Sequence, residues 1–292
     1  MDRRHFLWTS GCALAGSFTL AAAKPLGLPR QDAVHRAVRA AEKASGGRLG
    51  LSVLNTADSN QFSYRGSERF PMCSTFKILL AAAILTRVDH GAENLDRRLA
   101  VAQSDILGNS PFTAAHAGSD ASIGELCQST VAVSDNAAAN LLLPLVGGPA
   151  GVTRFLRSIG DNVTRLDRNE PTMGECTPGD PRDTSTPLTM TETVRRVVLG
   201  SVLTPPSRQM LEGWMRAATT GQYRLRAGLP SDWQVADKTG TGGHGTTNDV
   251  AVIWPPERPP LVVVAYLTES PLAQEARQAI LARVGKAIGA AL

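Results

Sequence analysis

The sequence predicts an α+β fold. One antiparallel sheet, built from both chain ends and flanked by helices, sits beside a mostly helical second lobe. Two observations lead there. Strand-like runs fall near residues 49–64 and again beyond residue 233, while a long alanine- and leucine-rich middle has helical character. That middle is interrupted at 166–183 by loop chemistry: Pro171, Gly174, Pro178, Gly179 and Pro181. Strands grouped at the ends and helices grouped between them mark this class, whereas strict alternation would mark a parallel sheet.

Taken in order, residues 32–45 read as an amphipathic helix, with Val34, Val38 and Ala41 on one face and Gly46-Gly47 as its stop. Segments 49–54 and 61–64 read as strands joined by the polar turn 56–60. Helical pieces follow at 74–88, 122–130, 136–145, 150–159, 187–199 and 206–218. Strands return at 233–237, 250–254 and 261–267. A closing helix over 271–290 sets Ile280, Leu281, Val284 and Ile288 on one face. No internal repeat is visible.

Residues 1–23 resemble an export signal of twin-arginine type. Arg3-Arg4 precedes a mildly apolar stretch, Trp8 to Leu20, and a small-residue exit at Ala21-Ala22-Ala23. The apolar stretch is too short to span a bilayer. The alternative is a lipoprotein signal at Cys12, but the preceding residues lack the usual leucine. Export would place the mature chain, 24–292, in the periplasm. Within it the sheet-bearing lobe takes about 30–72 and 220–292, and the helical lobe about 73–219. A net charge of +4, from 30 basic and 26 acidic residues, is far from that of a nucleic-acid binder. With no polybasic run, neither nucleic acid nor a stable membrane partner is expected, and the chain reads as a monomer acting on a small molecule.

Cys73, Cys127 and Cys176 remain once the signal leaves, an odd number at irregular spacing that argues against a disulfide framework. Each reads as a small buried apolar residue, with a Cys73–Cys176 bond left open because distance decides it. His35, His90, His116 and His244 lack metal-ligand spacing, so no metal or other cofactor is expected. Gly240-Thr-Gly242-Gly-His-Gly245 fits a dinucleotide fingerprint, yet the residues after it read as another strand where that site needs a helix. A turn beside a bare strand edge is the better reading.

Three strings carry the chemistry: Ser74-Thr-Phe-Lys77, Ser134-Asp-Asn136 and Lys238-Thr-Gly240. A serine hydroxyl needs a base to become a nucleophile. Residues i and i+3 share a helix face, so Lys77 can reach Ser74 without a histidine. Such a lysine must have its pKa lowered by burial or by neighbouring cations. The apolar run around it, Phe76 and Ile78 to Leu85, meets that demand. Each string alone is an ordinary cap or turn; their order in one chain is what matters.

In that order the strings resemble those of the class A serine β-lactamases, and the resemblance covers nearly all of the chain after about residue 30. A fourth element, Arg168-Asn-Glu170-Pro-Thr, resembles the family's Ω-loop. The resemblance implies a two-lobed fold with the site in the groove between the lobes, and hydrolysis of penicillin- or cephalosporin-type amides through a serine acyl-enzyme. It also implies roles. Ser74 is acylated, Ser134 relays a proton to the departing nitrogen, and Glu170 activates the water that releases the acyl group. Asn136 binds the substrate's side-chain amide, and Lys238, Thr239, Gly240 and Thr241 form the carboxylate anchor. Arg224 supplies an arginine to that anchor in preference to Arg226, since Thr247 stands at the family's other arginine position. Arg168 and Asp183 clamp the loop. Lys77 directly, or Glu170 through a water, takes the serine proton; the sequence contains both. The N–H groups of Ser74 and Thr241 receive the oxyanion.

Two positions depart from the family pattern. Gly174 replaces an asparagine that helps hold the hydrolytic water, and Asn109 replaces an aromatic residue lining the groove. Two other functions share the three strings: a cell-wall peptidase, which would have no use for Glu170, and a sensor that stays acylated.

Overall fold

The computed structural model describes residues 28–292. The expected export signal, with its twin arginines and Cys12, lies outside the described residues. Helix α1 (Leu28–Ser45) buries Val34, Val38 and Ala41 and turns at Gly46 into β1 (Arg48–Asn55) and β2 (Gln61–Tyr64). A short strand, β3 (Phe70–Pro71), and a 3₁₀ turn over Cys73–Thr75 then lead into α2 (Phe76–Asp89). Next comes a short antiparallel pair, β4 (Arg98–Val101) with β5 (Ser119–Ser122), around helix α3 (Pro111–Ala115). Helices α4 (Ile123–Ala132), α5 (Asn136–Leu142) and α6 (Gly148–Ser158) precede the 166–183 loop. That loop closes where β6 (Thr184–Ser185) pairs with β3, and α7 (Pro187–Val194) and α8 (Pro205–Arg216) finish the helical part. The chain ends with α9 (Leu225–Gly228), β7 (Gln234–Gly242), β8 (Thr246–Trp254), β9 (Leu261–Thr268) and α10 (Gln274–Ala291).

The main sheet has the order β2-β1-β9-β8-β7, antiparallel throughout, so segments from both chain ends share it. Side chains alternate faces along a strand. On β9, Leu261, Val263, Ala265 and Leu267 join the cluster under α1 and α10, while Val262, Val264 and Tyr266 join the core of the helical part. Both faces are covered, which is why β9 reads as an unbroken apolar run. Helix α2 is the rod of the helical part. Every residue from Phe76 to Leu85 is buried, as expected of a helix that is apolar on all sides.

The structure extends β7 past its sequence limit, through Gly242. β8 begins at Thr246, in keeping with the strand read after the glycine-rich run, although Thr246, Thr247, Asn248 and Asp249 are polar. All four are fully buried. They tolerate burial because they find partners: Asn248 Nδ2 donates to the carbonyls of Pro71 and Met72, and Thr246 pairs with Thr268. The glycine-rich run is thus the end of one strand, a turn and the start of the next. The helix expected over 187–199 is α-helical only to Val194 and continues as a π turn over Arg195–Leu199. Strands β4 and β5 are four residues each, and the sequence reading did not mark them.

Candidate active site

Ser74 sits in the 3₁₀ turn ahead of α2, not within the α-helix itself. The turn is tied down by Thr75, whose hydroxyl donates to the Met72 carbonyl at 2.9 Å. β7 approaches this turn closely at Gly240. A Cβ there would lie 2.6 Å from the Met72 carbonyl oxygen and 3.0 Å from Cys73 Cβ. Glycine is required because backbone packs on backbone.

Lys77, one turn further on, is fully buried. Its ammonium donates to the Ser134 carbonyl at 2.8 Å and to Asn136 Oδ1 at 2.6 Å, and it lies 3.2 Å from Glu170 Oε1. Burial pulls its pKa below the ordinary lysine range, with Glu170 opposing that shift. Ser74 Oγ lies 3.3 Å from the same Glu170 oxygen. The hydroxyl and the ammonium therefore converge on one carboxylate.

Ser134 has a left-handed backbone, φ 61°, in the loop before α5. Asp135 fixes that loop by accepting from the N–H groups of Phe112, Thr113 and Ala138. The Ser134 hydroxyl accepts from Lys238 Nζ at 2.9 Å, and Lys77 Nζ stands 3.5 Å away. Lys238 is fully buried and also donates to the Thr239 carbonyl. Burial, with Lys77 and Arg224 adding like charge, pulls its pKa well below the lysine range.

Glu170 rides on a loop without regular strand or helix around it, held by polar contacts. Arg168 Nε pairs with Asp183 Oδ2 at 2.6 Å, and Asp183 Oδ1 accepts from the N–H groups of Asp167 and Arg168. Asn140 grips the Glu170 backbone from both sides, donating to its carbonyl at 2.8 Å and accepting from its N–H at 3.1 Å.

Arg224 is buried beside the anchor strand. It donates to the Gly240 and Asn248 carbonyls and to Thr241 Oγ1 at 2.6 Å. Arg226 instead pairs with Asp237 and does not line the cleft. Ser74, Ser134, Asn136, Glu170, Arg224, Thr239 and Thr241 all face one cleft of about 460 Å³. Lys77, Lys238 and Gly240 lie directly behind that wall.

Sequence reasoning missed several residues here. Asn140 stands four positions after Asn136, one turn along α5, so helical spacing could have pointed to it. Thr220, Tyr223, Gln274 and Gln278 also line the cleft, and no pattern announced them. Asn109 has φ 57° and its side chain donates to the Ser134 carbonyl at 2.8 Å. His244 lies exposed in the turn between β7 and β8.

Known proteins resemble the chain over nearly all of its described length. The model of the β-lactamase enzyme family matches residues 33–292. The chain is 45% identical over 281 residues to β-lactamase OXY-2 of Klebsiella oxytoca, covering 96% of this chain and 97% of that protein. It is 46% identical over 295 residues to β-lactamase L2 of Stenotrophomonas maltophilia, covering 98% and 97%. Among solved structures, an ancestral class A β-lactamase (GNCA) superposes with a TM-score of 0.88 at 57% identity, covering 89% of this chain and all of that one. The chain belongs to the class A β-lactamases, hydrolases of the β-lactam amide.

Proposed function

We propose that the chain opens penicillin- and cephalosporin-type lactams through an acyl-enzyme on Ser74, conferring antibiotic resistance, with Glu170 as the base that ends each cycle. The reading rests chiefly on the 3.3 Å between Ser74 Oγ and Glu170 Oε1. Atoms that close can share one solvent molecule hydrogen-bonded to both at about 2.8 Å. A water so placed lies beside the carbonyl of an acyl group on Ser74.

In acylation, Ser74 Oγ attacks the lactam carbonyl and its proton passes to Glu170. The resting geometry favours this route. Lys77 Nζ has the Ser134 carbonyl and hydroxyl, Asn136 Oδ1 and Glu170 Oε1 around it, so every proton of an ammonium there has an acceptor. In that state Lys77 is a charged donor that stabilises the developing anion rather than a base. The N–H groups of Ser74 and Thr241 receive the oxyanion, and each such donor typically contributes about 3 kcal/mol to the transition state. Ser134, held by Lys238, hands a proton to the departing nitrogen. Thr239, Thr241 and Arg224 receive the substrate carboxylate, with the Lys238 charge behind them and Gly240 allowing the strand to lie close. Asn136 faces the acylamide side chain, and Tyr223 offers an exposed aromatic surface at the rim where Asn109 offers none.

The twin-arginine pattern in residues 1–23 supports export to the periplasm.

The test is intact-protein mass measured while lactam absorbance is followed. The unaltered protein is expected to turn over with no lasting adduct. Glu170→Ala is expected to lower turnover about 10³-fold and to leave the opened lactam on Ser74. Turnover at the parent rate in that variant would remove Glu170 as the base. A lasting adduct on the unaltered protein would favour a peptidase or a sensor.

A further inference from the structure

We propose that Cys73 and Cys176 form a reversible disulfide that latches the Ω-loop to the turn carrying Ser74. The two sulfurs lie 3.3 Å apart, both residues are buried, and neither is bonded. Chance burial of small residues does not account for the arrangement. Cys73 immediately precedes Ser74, and Cys176 follows Glu170 by six positions, so this pair joins the elements carrying the nucleophile and the water-activating carboxylate. Each cysteine is held in a left-handed backbone, φ 46° at Cys73 and 57° at Cys176. Side chains other than glycine adopt that region only where surrounding structure imposes it, so both thiols are pinned in place.

The neighbourhood is shaped around the sulfurs. A Cβ on Gly242 would fall 2.6 Å from the Cys176 sulfur and 2.8 Å from the Cys73 sulfur. Strand β7 therefore covers the pair with a residue that leaves room for it. The Gly243 N–H donates to the Gly174 carbonyl at 2.8 Å and holds the loop against the strand. On the far side, Cys176 lines a cavity of about 120 Å³ between the loop and the Arg48 and Arg69 side chains, which gives a reagent an approach. Cys73 is 1% exposed. The hydrogen bond from Cys73 favours the Cys176 thiolate, while the same contact and burial push the Cys73 thiol up. Cys176 is accordingly the thiol that reacts first.

The oxidant is a small-molecule disulfide. The Cys176 thiolate attacks one of its sulfurs, forming a mixed disulfide and releasing one small thiolate, which takes up a proton. Cys73 then loses its proton and attacks the Cys176 sulfur, expelling the second small thiol. Two protein thiols are oxidised and one small disulfide is reduced to two thiols. The bond closes a loop of roughly 100 residues, the kind of cross-link that removes the most freedom from the unfolded chain.

Oxidised glutathione on the full chain tests this, read by intact mass, peptide mapping and melting temperature, none of which depends on lactam turnover. Apart from any adduct at Cys12, the expected product has lost two hydrogens, yields a Cys73–Cys176 linked peptide and leaves Cys127 unmodified. Its melting temperature should rise by about 5–10 °C and return on addition of dithiothreitol. Trypsin cleavage at Arg182 in the loop should slow by about tenfold or more. Cys176→Ala should show neither the rise nor the protection. A folded protein that yields only a glutathione adduct on Cys176, or no modification where urea-unfolded chain oxidises, overturns the proposal. So does a Cys73–Cys176 link that leaves melting and proteolysis unchanged.

Discussion

The turn and helix carrying Ser74 and Lys77 and the loop carrying Glu170 meet within 3.3 Å, yet they are held by different forces. On the first side, Phe76 to Leu85 are buried without a break, so hydrophobic packing on all faces fixes the helix. On the second, the clasp is polar: Arg168 with Asp183, Asp183 with two backbone N–H groups, and Asn140 on both sides of Glu170. An apolar core is insensitive to any one polar contact. A polar clasp depends on a few groups whose partners are left buried and unpaired when one is removed. Acylation machinery of the first kind should be robust in structure, and deacylation machinery of the second kind should be the fragile half.

Four substitutions can break or sharpen that contrast. The largest effect is expected from Lys77→Met. It removes a charge from the buried helix, so acylation should fall by about 10³-fold or more, whereas the melting temperature should fall only modestly, because Glu170 loses its buried partner while the apolar packing of α2 is kept. Strong destabilisation would show that the ion pair with Glu170, and not packing, secures α2. Arg168→Ala should do the reverse. Asp183 is left buried with only its backbone donors, which costs about 2–4 kcal/mol, and burst kinetics should show deacylation slowed more than acylation. Equal slowing of both steps would mean the clasp serves the whole cleft.

A smaller effect concerns pH. The Lys238 pKa lies well below the ordinary lysine value, so its charge is lost as pH rises through a lower range than usual. The alkaline fall in kcat/KM for carboxylate-bearing lactams should therefore begin below the usual lysine range. Lys238→Arg should move it upward, since a guanidinium stays charged. An unmoved limb would assign the fall to Lys77, whose pKa is also lowered. The smallest effect is expected from Gly174→Asn. A Cβ there meets nothing within 4 Å, so the side chain has room. One added hydrogen bond to the hydrolytic water is worth about 1 kcal/mol, or roughly fivefold in deacylation. No change in pre-steady-state deacylation would show that this loop already holds its water by other means.

What was legible in the sequence follows the same division. Helix α2 and strand β9 declared themselves because burial on every side leaves an uninterrupted apolar run. The continuation of β7 through Lys238 to Gly242 did not, because its burial depends on neighbours such as Met72 and Cys73 that are distant in sequence. Gln278 was silent for the same reason, and only its spacing from Asn136 hinted at Asn140. Their side chains matter only once α5 has been laid against the loop and α10 against the cleft.

The amino-acid order alone singled out the residues proposed to carry the chemistry, because Ser-x-x-Lys, Ser-Asp-Asn, Lys-Thr-Gly and the loop glutamate need only local spacing to be recognised. It also determined the class of fold, since apolar periodicity is a local property of the chain. Tertiary structure decided which asparagine grips Glu170, and that two cysteines 103 positions apart lie sulfur to sulfur. Those outcomes depend on distances between segments, which are set only when the core closes.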